Sequence, residues 1–577
     1  MSRRESTPEI RRSSIWSDLL VISFFAALLL GALNVEAEWR APLKTSAPID
    51  LSPSVLPLYA LYSLTRSWLA YGLSLIFTIL IASWAFYDLR ARRLILPALD
   101  VLQSIPVLGF LPGLVLALVG VFPHSNIGLE IACIVMIFTG QVWNMAFSYY
   151  DSLQGVPAEH RNLARLYDFS GWQRFWRVEL PFGTQSLVYN SMVSMAGGWF
   201  FLSITEAFQL GDQDFRLPGI GSYMSVAIAQ GNVSAQIYGV IAMGIIIISV
   251  DRLIWWPLVR WSKKFNLDDF AGSANSDSGS GRLGLWMARS ATLRQLGLAW
   301  EKTTDALLRR RHPPHSNETQ ASSSQPRPAL GRWLANLAFA ALLGLGGYAV
   351  VRLGLLIAKL NFLDWCEIAA GTGYTTLRVF AALAFSVLWA VPVGVWLGLN
   401  PVYSRRLQPF IQFAASFPAP MIYPWILALV GMIGGTLGWG AIPLIVLGTQ
   451  WYVLFNVVSA ASSIPHDVRS CAAIMGLSGV RRWTRYLLPA IAPGLVTGCI
   501  TAAGGAWNAT IVAEYVRSGT SLVQTTGLGA YISRATNAGD YPQLAAGVVV
   551  MAVLVVLINR LVWKKLQSIA NDRCRFS

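Results

Sequence analysis

The segment VPAEHRNLARLYDFSGWQRFWRVELPFG, Val156 to Gly183, is written a second time 308 residues later as IPHDVRSCAAIMGLSGVRRWTRYLLPAIAPG, Ile464 to Gly494. Pro157 meets Pro465, Ser170-Gly171 meets Ser478-Gly479, Arg174 and Arg177 meet Arg482 and Arg485, and Leu180-Pro181 meets Leu488-Pro489. The register runs outward from there. Trp143 meets Trp451, Trp199 meets Trp507, Glu206 meets Glu514, and Gly219, Gly221 and Tyr223 meet Gly527, Gly529 and Tyr531. Positions 140–243 hold 27 identities in 104 without a gap. Chance agreement does not produce such a run, and an internal repeat governs the fold of the whole chain. Upstream the offset becomes 312, where Tyr62, Arg66, Pro106 and Pro112 meet Tyr374, Arg378, Pro418 and Pro424.

The material around the two segments has the composition of a bilayer protein. Of 577 residues, 54% are apolar and 13% charged, against about 25% charged in a soluble domain, and the mean hydropathy is +0.51. These values exclude an ordinary cytosolic enzyme and a disordered chain. Five Cys are too few for a disulfide scaffold. Neither they nor the five His fall at metal-ligand spacing, and no nucleotide-binding or hydrolase motif occurs.

A membrane-crossing helix needs about 20 apolar residues. Candidates fall near 15–35, 67–88, 101–122, 128–150, 184–205 and 235–256, and again near 331–352, 375–399, 408–433, 438–461, 490–513 and 542–563. The expected fold is all-α and polytopic, about 12 transmembrane helices in two six-helix repeats. Six is even, so both copies share one orientation and are parallel repeats. The divisions expected are a first half, 1–262, a linker, 263–329, and a second half, 330–577, with the repeated loops at 156–182 and 464–490. The linker contains a Gly- and Ser-rich stretch, 271–281, of flexible composition.

Lys and Arg are retained on the cytoplasmic side of a membrane. With the N-terminus inside, the cytoplasmic segments hold 34 of the 44 Lys and Arg, so both termini are expected in the cytoplasm. The net charge of +15 is then a topology signal, and nucleic acid is not needed as a partner.

The repeated loops resemble the coupling loop of ATP-binding-cassette importer permeases, whose pattern is Glu-Ala-Ala, three residues, Gly, then Leu-Pro about a dozen residues on. The matching positions are Asn162, Ala164, Asp168, Ser170, Gly171, Leu180 and Pro181 in the first copy, and Ser470, Ala472, Gly476, Ser478, Gly479, Leu488 and Pro489 in the second. The chain departs from the pattern at Asn162 and Ser470, which replace the Glu, and at Asp168, which replaces the Gly. Glu206 with Gly219-Ile-Gly-Ser-Tyr223, and Glu514 with Gly527-Leu-Gly-Ala-Tyr531, look like the nitrate/sulfonate/taurine branch. The resemblance covers about 55–260 and 368–563, as in duplicated, fused permeases of the anion transport type.

It implies a MetI-like permease fold in a bacterial inner (cytoplasmic) membrane. It also implies two copies of a cytoplasmic ATPase subunit, an extracytoplasmic solute-binding protein, and ATP with Mg on the partner subunits rather than on this chain. Trp172, Phe175, Trp176, Trp483 and Tyr486 offer apolar anchors for docking. The alternative reading is an ion-gradient-driven secondary transporter with 6+6 parallel repeats.

Polar residues inside spans point to helix contacts or a solute path. The candidates are Asn190 and Ser194 on the fifth span and Thr497, Thr501 and Asn508 on its partner. Glu206 and Glu514 end these spans. A carboxylate is a poor ligand for an anion, so they are read as holding the Gly-x-Gly-x-Tyr loop or an outer gate. Arg66 and Arg378 are read as interface anchors.

Overall fold

A computed structural model describes residues 48–210, 213–262, 350–518 and 521–574, with a few isolated positions between them. The candidate span 15–35, the linker and most of the candidate 331–352 lie outside the described residues. Among those described, eight helices are long and apolar enough to cross a membrane, and one bent pair would make a ninth span.

In the first half these elements are α1 (Leu56–Tyr87), α2 (Leu89–Ser104), α3 (Leu111–Val121), α4 (Ile127–Gly155), α5 (Ala158–Leu166), α6 (Gly171–Arg174), α7 (Leu180–Thr205), strands β1 (Ala207–Leu210) and β2 (Gln213–Arg216), α8 (Ile220–Ala229), α9 (Val233–Val250) and α10 (Trp256–Ser262). The second half repeats them as α11 (Phe362–Leu399), α12 (Pro401–Ser416), α13 (Tyr423–Met432), α14 (Leu437–Ser462), α15 (His466–Ile474), α16 (Gly479–Arg482), α17 (Leu488–Ala513), β3 (Tyr515–Ser518), β4 (Ser521–Gln524), α18 (Leu528–Ala538), α19 (Tyr541–Ile558) and α20 (Lys564–Cys574). Buried residues of both halves form one continuous apolar core.

The sequence suggests single spans at 101–122 and 408–433, and neither is straight. Ile105-Pro106 and Phe417-Pro418 are extended, and each leads into a short 3₁₀ turn, Val107–Gly109 or Ala419–Ile422. The second pair of helices bends by 82° at its break. Proline lacks the N–H that the helix would need, and it pushes the residue before it out of the α region. Each break packs against the fifth span of the other half, Val107–Gly109 on α17 and Ala419–Ile422 on α7.

Two further features recur at the 308-residue offset and were not expected. Single π-helical turns interrupt the long helices at Phe175–Glu179 and Asp251–Trp255, and again at Trp483–Leu487 and Asn559–Trp563. Each fifth span is followed by an antiparallel hairpin, with Leu210 paired to Gln213 and Ser518 to Ser521. Two-residue connections with Gly first, here Gly211-Asp212 and Gly519-Thr520, are the sequence signal for such hairpins.

Candidate functional site

Each repeated loop is a helix, a left-handed stop, and a second helix that continues into the fifth span. Arg161 caps the preceding span by donating from its guanidinium to the carbonyls of Gln154 and Val156, and Arg469 does the same to Ala461, Ser462 and Ile464. The first loop helix then ends in a Schellman motif, in which the C″ and C′ amides bond back to the last turn. Phe169 N donates to Ala164 O at 2.9 Å and Asp168 N to Arg165 O at 3.1 Å. The second copy repeats this with Leu477 N to Ala472 O at 3.2 Å and Gly476 N to Ala473 O at 3.0 Å. The C′ residue must be left-handed, and φ is +48° at Asp168 and +61° at Gly476. Asp tolerates this conformation better than most residues, which is how the first loop keeps its shape without the glycine.

Ala164 and Ala472 are buried and seat the helices, whereas Asn162 is exposed and Ser470 half-buried. After the stop, Ser170 forms a capping box with Gln173; Ser478 caps the second loop without a side-chain bond. Gly171, Asp168, Gly476, Ser478 and Gly479 are exposed, Leu180, Pro181 and Pro489 are half-buried, and Leu488 is exposed. Of the five apolar anchors suggested by the sequence, Trp172 is exposed and the other four are not. Tyr486 is buried, and Phe175, Trp176 and Trp483 are half-buried. The exposed positions include Leu166, Tyr167 and Trp172, at 77%, 70% and 48%, and at the same offset Ile474, Met475 and Val480, at 85%, 75% and 77%.

At the opposite end of the fifth spans lie two buried ion pairs. Arg66 donates to Glu206 at 2.8 Å and bidentately to Glu130 at 2.7 Å; all three side chains are fully buried. Glu206 also accepts from Ser63 Oγ at 2.7 Å and from Gly221 N at 2.8 Å. In the second half Glu514 accepts from Arg378 and Thr375, each at 2.8 Å, and from Gly529 N at 2.9 Å. Ser63 and Thr375 in turn accept from Ile220 N and Leu528 N, at 3.0 and 2.8 Å. A carboxylate thus fastens the start of α8 and of α18 to the fifth span. A Cβ at Gly219 would lie 2.4 Å from the Glu206 carboxylate, and one at Gly527 2.2 Å from that of Glu514, so the first Gly of the motif is required by close approach. Burial removes Arg66 and Arg378 from the membrane–water interface, contrary to the anchor role expected for them. Glu130 has Gly438 as its counterpart, whose carbonyl accepts from Arg378 Nε at 3.0 Å. Nothing in the sequence repeat marked Glu130, because the second copy lacks it.

Between the halves is a cavity of about 190 Å³. Thr501 and Asn508 line it. Asn190 does not: its amide donates to Ser148 Oγ at 2.6 Å and Ser186 O at 3.0 Å, which ties α7 to α4. Ser194 is buried outside the lining, and Thr497 is exposed, with its hydroxyl on Pro493 O. Thr139, Asn144, Gln412 and Tyr452 line the cavity without having been singled out in the sequence, and so do Trp143 and Trp451, which the repeat marked without a pathway role. No Lys, Arg, His, Asp or Glu does so among the described residues.

The sequence profile of the family described as "Binding-protein-dependent transport system inner membrane component" matches twice, at residues 72–254 and 390–563. The chain belongs to this family. Relatives include the bicarbonate transport system permease protein CmpB of Synechococcus elongatus, 28% identical over 35% of this chain and 67% of its own length. The nitrate import permease protein NrtB of Leptolyngbya laminosa is 25% identical over 32% of this chain and 63% of its own. The taurine transport system permease protein TauC of Escherichia coli is 27% identical over 34% and 68%. Each of these alignments spans about a third of the chain, while the family profile occurs in both halves. The chain is therefore a multi-pass permease of the inner membrane, a transport subunit of the bicarbonate, nitrate and taurine branch.

Proposed function

We infer that this single chain supplies both halves of the pore of an ATP-binding-cassette importer. Two copies of a cytoplasmic ATPase subunit dock on the two coupling loops, hold ATP and Mg, and switch the pore by moving those loops together. An extracytoplasmic binding protein delivers a small anion, such as nitrate, a sulfonate or taurine, or bicarbonate. Both termini face the cytoplasm. One observation carries this reading: Leu166, Tyr167 and Trp172, and their counterparts Ile474, Met475 and Val480, expose apolar surface on two loop tips that share the same left-handed stop. Exposed apolar groups projecting from a helix fit a groove in a partner. The test is uptake of labelled nitrate, taurine and bicarbonate into proteoliposomes holding the co-expressed complex. Uptake is expected to need ATP and to survive collapse of the proton gradient. Uptake that follows the proton gradient without ATP overturns the reading.

A further inference from the structure

A second cavity, of about 390 Å³, lies at the edge of the contact between the halves. Met195, Trp199, Ile247, Val250 and Trp255, all buried, form its floor on the fifth and sixth spans of the first half. Its other wall is α12 of the second half, through Phe410, Gln412 and Phe413. Ile248 and Phe410, at its mouth, are 50% and 73% exposed on helices apolar enough to lie in a membrane. The cavity therefore opens sideways into the bilayer.

Its rim is basic. Arg252, in the π-helical turn of the sixth span, lines the cavity, is exposed, and makes no hydrogen bond or salt bridge among the described residues. Phe413 lies 3.6 Å from where a Cβ on Gly244 would stand, while Phe410 shares the cavity with Arg252, so α12 runs antiparallel to the sixth span. Arg405 and Arg406 precede Pro409 and Phe410 by one helical turn on the same face, toward the end where Arg252 lies, and both are exposed. Asp251 on this rim offsets one of the three charges and leaves the edge positive. The other copy is built differently. Phe410 and Phe413 are matched by Ala98 and Val101, and Met195 by Ala503. Trp256 and Gln412 are matched by Lys564 and Asp100, which form an ion pair there. The counterparts Ala503, Val555 and Trp563 line the central cavity instead.

We propose that this lateral cavity holds one acyl chain of an anionic glycerophospholipid, whose phosphate lies on Arg252, Arg405 and Arg406. Water needs polar partners, and a cavity walled mainly by hydrocarbon and aromatic groups offers few. Left empty, the lining would forfeit its dispersion contacts. A lipid tail supplies them, and arginines between spans near the cytoplasmic face suit a phosphate headgroup. The site goes beyond the importer reading and rests on it only for the leaflet, which is the inner one. The candidate spans 15–35 and 331–352 fit the cavity less well. Each enters the membrane from a segment of net positive charge, which the same arginines would repel.

The experiment is photolabelling of the full-length chain, with whatever subunits co-purify, in phosphatidylcholine vesicles. They carry a trace of phosphatidylglycerol with a diazirine on one acyl chain, and labelled residues are mapped by mass spectrometry. Labelling of Met192, Phe410 and Phe413 is expected at least fivefold above that of their counterparts Ile500, Ala98 and Val101. Excess unlabelled phosphatidylglycerol should suppress it, and the same excess of soluble glycerol phosphate should not. Arg252→Gln combined with Arg406→Gln should lower it at least fivefold while the protein stays monodisperse and labelling of the exposed Leu80 is unchanged. Equal labelling of the two sets of positions, suppression by glycerol phosphate, or full labelling of the monodisperse double variant overturns the site. Absence of label from the cavity also overturns it and assigns the space to a protein segment, the spans 15–35 and 331–352 first. None of these outcomes depends on what drives transport, so the importer reading stands or falls separately.

Discussion

Asn508 Oδ1, on the fifth span of the second half, accepts the backbone N–H of Leu108, in the break of the first half, at 3.3 Å. The relation is one-sided for a chemical reason. The counterpart of Leu108 is Pro420, which has no N–H to satisfy, and the counterpart of Asn508 is Phe200, which has no acceptor. The two halves have diverged in a complementary way at a symmetric contact, as a fused pair can and a homodimer cannot.

Asn508→Phe should therefore destabilise the chain by about 1–3 kcal/mol, the cost of leaving a buried N–H unpaired. Leu108→Pro removes the same N–H, so the double variant should lose less than the sum of the two single losses. Thermal unfolding of the four proteins in detergent measures the coupling; strict additivity would mean that the bond contributes nothing.

The buried ion pairs predict an order of severity. Arg66→Met strands two carboxylates, Glu130 and Glu206, whereas Arg378→Met strands only Glu514. Removing one partner of a buried pair costs about 3–5 kcal/mol, and the first variant should exceed the second. Adding Glu130→Gln to Arg66→Met should recover part of the loss. The yield of monodisperse protein by size-exclusion chromatography ranks them, and equal losses would contradict the geometry.

Left-handed φ at the loop stop separates two substitutions at Gly476. Gly476→Val should cost about 1–2 kcal/mol of loop stability and lower ATPase association, since a β-branched residue resists φ near +61°. Gly476→Asp should be milder, because Asp168 already holds the same conformation in the first loop. Pull-down of the ATPase subunit reads both, and an Asp variant as poor as Val would show that backbone shape is not the cause.

Ile474→Asp combined with Leu166→Asp places charge on both apolar tips without touching the buried Ala164 and Ala472. Membrane levels should be unchanged while ATPase co-purification drops at least tenfold. Unimpaired co-purification would move the docking surface elsewhere.

These contacts show what the repeat could and could not reveal. Identities such as Arg174/Arg482, Leu180-Pro181/Leu488-Pro489 and Glu206/Glu514 led to the fold, the two loops and the carboxylates that hold α8 and α18, since a duplicated framework needs the same residue twice. Trp172 was legible as an exposed anchor, but the other exposed groups escaped because Leu166/Ile474 and Tyr167/Met475 keep apolar character but not identity. Thr501 and Asn508 were legible as cavity residues, whereas Thr139 and Asn144 escaped because their counterparts, Leu447 and Tyr452, differ from them. Glu130 was invisible for the same reason. The candidate spans at 101–122 and 408–433 are broken at Pro106 and Pro418, which hydropathy could not show because it continues through a backbone that proline will not let continue as helix.

The composition of the intact complex tests the central claim most directly. Native mass spectrometry of the assembly purified from its own membrane should show one copy of this chain with two ATPase subunits. Two copies of the chain per complex, or a chain that carries no ATPase under conditions where it remains folded, would contradict it.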